Sequence, residues 1–138
     1  MRRIIHPMLL LVPLLFSCKK YIQQKEQQAA LAIITNGYWY VKDYQQNDSD
    51  ITASFSGYLF KFDANSTVTG TRNNVSQQGV WSADITTRTV TANFPGAMAP
   101  LVDLNEIWKI TDSDTNYVVA NATDTTNHTS NILHLQKQ

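Results

Sequence analysis

The chain offers few side chains that could do chemistry. Its single cysteine is Cys18, and its three histidines are His6, His128 and His134. A lone thiol can form neither an internal disulfide nor a thiolate cluster for zinc. His128 falls in an expected loop and His134 in an expected strand, with no paired spacing, so no metal site is expected. Carboxylates at Asp48, Asp50, Asp63, Asp112, Asp114 and Asp124 are scattered over expected turns. Asp112-Ser113-Asp114 begins like a calcium loop, but the glycine and distal glutamate of such a loop do not follow. There is no Gly-x-Ser-x-Gly elbow, no Cys/His pair and no phosphate loop. The expectation is a non-catalytic protein with no cofactor.

The elements that must carry these residues start with an address. Arg2 and Arg3 precede an apolar run over 8–16, far shorter than the roughly 20 residues that span a bilayer as a helix. A basic front and a short apolar core read as a secretory signal. The run ends in Leu15-Phe16-Ser17-Cys18, which resembles the bacterial lipobox: an aliphatic residue at −3, a small residue at −1, then the cysteine. The resemblance implies diacylglycerol on the Cys18 sulfur, cleavage before it and acylation of the new amino terminus. Two or more acyl chains give stable anchoring. In the sorting that this class follows, Lys19 after the cysteine points to the outer membrane. With no acidic run behind Cys18, the periplasmic face is favoured over the cell surface. Without Arg2 and Arg3, nine basic side chains face eleven acidic ones. Such a balance gives no basic patch for nucleic acid.

The expected division is therefore a signal over 1–17, a tether and short helical lead-in over 18–35, and one domain over 36–138. In the lead-in, 20–34 is the helix candidate, free of Gly and Pro from 23 to 32. Its first half reads as a polar spacer. Its end, Ala29-Ala30-Leu31-Ala32-Ile33-Ile34, reads as a plug for one end of the domain, the alternative being a helix that binds a partner.

From residue 38 onward, short alternating segments are separated by polar turns. Strands are expected over 38–45, 54–62, 66–71, 78–83, 88–94, 104–111, 116–122 and 130–136. On the first, Trp39, Val41 and Asp43 share one face, while Tyr38, Tyr40, Lys42 and Tyr44 share the other. The second puts Tyr58, Phe60 and Phe62 on one face, with Phe55, Gly57, Leu59 and Lys61 opposite. Residues 47–50 read as a polar loop. About eight strands at near-regular spacing and short connections indicate an all-β, antiparallel up-and-down meander closing into a small barrel.

Gly37-Tyr38-Trp39 resembles the start signature of the lipocalins, Gly-x-Trp on the first strand after a helical turn. The ordered set of Gly37 and Trp39, Phe55, Gly57, Tyr58, Phe60 and Phe62, Asn65 with Thr67-Val68-Thr69, Gly79 and Trp81, and Trp108 is similar to small bacterial lipocalin-like lipoproteins. The resemblance implies that Trp39 closes the bottom of an eight-stranded barrel, Gly37 and Trp39 being structural. A full lipocalin is longer, has a C-terminal helix and carries an Arg over that Trp. Here only Lys137 stands near that place.

Tyr58, Phe60, Phe62, Trp81, Phe94, Met98 and Trp108 are the candidates to line an apolar ligand pocket, or simply to fill the barrel. The connection 95–103, with Pro95, Met98 and Pro100, reads as a lid at the mouth or as a loop packed over an open end. Two functions follow. One is a membrane-anchored barrel that binds a small apolar ligand. The other is a structural or interaction module of the cell envelope, a complex subunit or an inhibitor, with a packed barrel and a protein partner.

Overall fold

The structure, a computed structural model, describes residues 16–124 and 128–138. The basic front and apolar run over 1–15 lie outside the described residues. A helix, α1 (Phe16–Ile34), leads into nine strands: β1 (Trp39–Gln46), β2 (Ser49–Asp50), β3 (Leu59–Phe62), β4 (Thr67–Arg72), β5 (Val75–Asp84), β6 (Thr89–Asn93), β7 (Ile107–Ser113), β8 (Tyr117–Asp124) and β9 (Thr129–Lys137). The strands form one antiparallel meander in sequence order from β3 to β9. It closes because β1 also pairs with β9, from Trp39–Lys137 to Gln46–Asn131. The result is the expected barrel of eight strands, with β2 as a small flap on β1.

Alternation builds the barrel wall. Phe60 and Phe62, Val68 and Gly70, Gly79 and Trp81, Ala120 and Ala122, and Asn131 and Leu133 point inward and are buried. Their neighbours in sequence face out. Asn73 and Asn74 both adopt positive φ, 53° and 62°, between the paired Arg72 and Val75. That is the conformation a two-residue hairpin needs for its twist to match the strands, and Asn tolerates it. Asn47 and Asp48 do the same at 49° and 66°, so the expected loop over 47–50 is instead a tight hairpin into β2.

Three strand expectations are corrected, at Tyr44, at 54–62 and at Leu104. Tyr44 lies inward, fully buried, not beside Tyr40 and Lys42. The register shifts between Val41 and Asp43, so Lys42 is an extra residue and the later side chains change face. The stretch 54–62 is not one strand. Residues Thr52–Phe55 form a 3₁₀ turn, and Phe55 folds inward from it to stack on Tyr44, ring centroids 5.5 Å apart. Only Trp39–Phe60 pairs β1 with β3, and this turn fills the rest of the seam.

Because the strands alternate direction, the connections fall at two ends. Residues 47–58, Asn73-Asn74 and 94–106 lie at the far end. Turns 63–66, 85–88 and 114–116 lie at the near end, where α1 enters. Leu104 is buried, but in a second 3₁₀ turn, Leu101–Leu104, not in the strand expected over 104–111. Leu101, Leu104, Phe94 and Phe55 close the far end over the core.

Candidate functional site

At the near end, the last carbonyls of α1 have no partners within the helix. Three side chains from the barrel donate to carbonyls at its end and in the turn that follows. Trp39 Nε1 donates to the Ile34 carbonyl (2.9 Å), Lys137 Nζ donates to that of Ile33 (3.2 Å), and Lys61 Nζ donates to that of Thr35. Two of the donors are cations, which the negative end of a helix dipole favours. Lys137 Nζ also lies 5.0 Å from the centroid of the Trp39 ring, so a lysine covers the indole of this chain. Trp39 itself is 0% exposed.

These bonds hold the end of α1 across the barrel base but do not seal it. A cleft of about 240 Å³ remains between the helix and the turns of β5–β6 and β7–β8. Leu31, Ile34, Ile85, Val90, Ile110 and Val118 make its apolar walls, while Asp84, Arg88 and Asp114 lie toward its rim. Both aspartates are engaged in their own turns. Asp84 Oδ1 accepts from the amides of Thr86 and Thr87 (2.8 and 3.2 Å), and Asp114 Oδ1 from those of Asn116 and Tyr117 (2.6 and 3.1 Å).

Inside the barrel a second cavity measures only about 50 Å³. An apolar cavity of about 150 Å³ is enough to hold benzene. The interior is thus packed, while the cleft has room for a small organic molecule. Ile34, Val90, Ile110 and Val118 line both spaces, so a single layer of apolar side chains separates them.

The sequence candidates divide between these places. Phe60, Phe62, Phe94 and Trp108 line the interior cavity. Trp81 is buried but lines neither space. It meets Phe62 edge-on (5.5 Å) and donates Nε1 to the Asp63 carbonyl (3.0 Å). Tyr58 is half-buried outside the cavity, between Phe60 (5.8 Å) and the Arg72 guanidinium (4.2 Å to the ring). Met98 is 84% exposed and contributes to neither space. It lies between the buried Phe94 and Leu101, and those two side chains make the contacts with the core. The Cys18 position belongs to the first turns of α1, with its side chain outside the described set.

Of the chemistry-bearing residues, Asp112 accepts a hydrogen bond from the Tyr117 hydroxyl (2.9 Å), which raises the phenol pKa. His134 packs edge-on against Tyr117 (5.7 Å), and its buried Nε2 has no hydrogen-bond partner. His128 sits in the turn before β9 at φ 53°. Among the described residues no three His, Cys, Asp or Glu side chains are grouped to hold a metal ion. At the far end, burial pushes the Tyr44 phenol pKa strongly up, aided by the charges of Asp103 and Glu106, and its hydroxyl donates to the Asp103 carbonyl (2.5 Å). Sequence reasoning missed Ile85 and Arg88 because the cleft joins turns far apart in the chain, and it missed the inward Tyr44 because the bulge at Lys42 changes its face.

No family model matches this chain, and no curated protein matches it. Among solved structures, a DUF4847 family protein from Bacteroides vulgatus is similar, with a TM-score of 0.55 and 21% identity over 79% of this chain and 99% of its own. A deswapped triple mutant of bovine odorant-binding protein aligns with a TM-score of 0.43 and 17% identity, over 74% of this chain and 72% of its own. Aphrodisin, a sex pheromone from female hamster, aligns at 0.40 and 15%, over 74% of each chain. At these identities the likeness concerns the fold alone, a closed antiparallel barrel of eight strands led by the helix α1.

Proposed function

We infer that this chain is a lipid-anchored protein of the cell envelope that binds a small apolar ligand at the near end of its barrel, beneath α1. The cleft carries the reading: about 240 Å³, walled by aliphatic side chains and separated from the interior by one layer. Apolar walls with a few polar groups at the rim are what small-molecule sites usually present. The anchor is the acylated Cys18; Lys19 behind it favours the outer membrane, and the lack of an acidic run after Cys18 favours its periplasmic side. The proposed role is binding, without catalysis.

The binding test is an apolar fluorescent dye. Ala30 is exposed on α1 and lines the cleft, so Ala30→Trp fills that space without removing a core side chain. We expect dye binding by the wild type and a loss of at least tenfold in Ala30→Trp, with an unchanged far-UV spectrum. Equal binding by both proteins would place the ligand elsewhere.

One observation favours a second reading. The interior cavity is only about 50 Å³, and 3₁₀ segments cover the far end. A packed barrel of this kind suits a subunit or inhibitor in an envelope complex. Absence of dye binding, together with recovery of one protein by crosslinking in intact cells, would select it.

A further inference from the structure

α1 carries apolar residues on two opposite sides. Gln27, Ala30, Leu31 and Ile34 follow one another at steps of three and four, so they share a face, and all of them line the cleft. Lys20, Gln23 and Gln24 continue that face toward the start of the helix. Tyr21, Ile22, Lys25, Ala29 and Ala32 are also linked by steps of three and four, and they occupy the opposite face. All of these are exposed, Tyr21 by 62% and Ile22 by 54%. Lys25 Nζ lies 5.6 Å from the Tyr21 ring centroid.

A helix that only covered its own barrel would turn its polar residues to water. Here the glutamines continue the barrel-side face, and Tyr21 and Ile22 turn away from it. Lys19, Lys20 and Lys25 stand against the one acid Glu26 in this half. Tyrosine favours the headgroup region of a bilayer. Lysine can bury its stem while its ammonium pairs with anionic lipid.

We propose that α1 lies along a lipid surface, with Tyr21, Ile22 and Lys25 in the headgroup layer and the barrel carried on its other side. This rests on the acyl anchor at Cys18, which begins the same segment. A helix with one apolar strip and basic flanks lies in the interface plane, and a basic patch next to acyl chains reinforces the attachment.

The acylated protein in vesicles of phosphatidylethanolamine and phosphatidylglycerol provides the test. With the Cys18 sulfur acylated, one cysteine introduced at a time between positions 20 and 30 can carry a nitroxide. Its accessibility to oxygen, relative to a water-soluble nickel chelate, reports immersion in lipid. We expect a several-fold higher ratio at Tyr21→Cys, Ile22→Cys, Lys25→Cys and Ala29→Cys than at Lys20→Cys, Gln24→Cys and Gln27→Cys, following the roughly 3.6-residue helical period. Flotation of the same samples reads the anchor separately. No flotation overturns the anchor and this proposal together. Flotation with aqueous ratios throughout, or with a steady decline along the helix, overturns the proposal and leaves the anchor standing. Strong spin–spin broadening on the outward strip would assign that strip to a second copy and overturn the lipid contact.

Discussion

Gly37 and Gly79 each stand two residues before a buried tryptophan, for different physical reasons. Gly37 takes φ +82°, a left-handed conformation in which a side chain is strained. Gly79 has no such φ; it is required by space. A Cβ there would lie 2.4 Å from the Asn93 carbonyl oxygen and 2.9 Å from Phe94 Cδ1 on the neighbouring chain segment. In an open strand, replacing Gly by Ala stabilises by about 0.4–1 kcal/mol through the unfolded state. Here the backbone oxygen cannot give without parting β5 from β6, and overpacking of that kind costs about 1–3 kcal/mol. Gly79→Ala is therefore expected to lower the urea midpoint, and a midpoint equal to or above that of the wild type would refute the contact.

At the scale of elements, the far end collects acids on its connections. Burial raises the Glu106 pKa, and the nearby charge of Asp124 adds to this. A carboxyl whose folded pKa is raised binds its proton more readily folded than unfolded, so its ionisation works against the fold. That penalty is absent below the unfolded glutamate pKa and is fully present above the folded one. Glu106→Gln should thus raise the melting temperature at about pH 7 and leave it unchanged by charge at about pH 3. A thermal scan of both proteins at the two pH values checks the sign.

The eight strand positions, the Asn73-Asn74 turn and the inward Phe60, Phe62 and Trp81 were legible, because alternation and turn chemistry are local signals. The bulge at Lys42 was not, since two charged residues in a row look the same in a regular strand as in a broken one. Phe55 and Leu104 followed the strand period but belong to 3₁₀ turns, where tertiary packing of the ends overrides pattern. The ring candidates were named as wall residues, yet the roomier space lies among Ala30, Ile85, Ile110 and Val118. No single segment holds those residues, so no local pattern could reveal them.

For the whole molecule, the proposed tether and the folded barrel are nearly independent. The barrel closes through β1 and β9, and only the last turns of α1 pack on it. Cys18→Ala should therefore move the protein from the membrane fraction to the soluble one with an unchanged unfolding midpoint. Retention in the membrane fraction would remove the acyl anchor from the account.

Strand parity has one more consequence. An even number of antiparallel strands returns the chain to the end where it began, so Gln138 bonds back to the Tyr38 carbonyl beside the exit of α1 (2.9 Å). The proposed tether, Gln138 and the mouth of the cleft all share that end. On the anchored reading, cargo would be exchanged on the bilayer-facing side, over a short aqueous gap, and the capped far end would be left facing the open compartment.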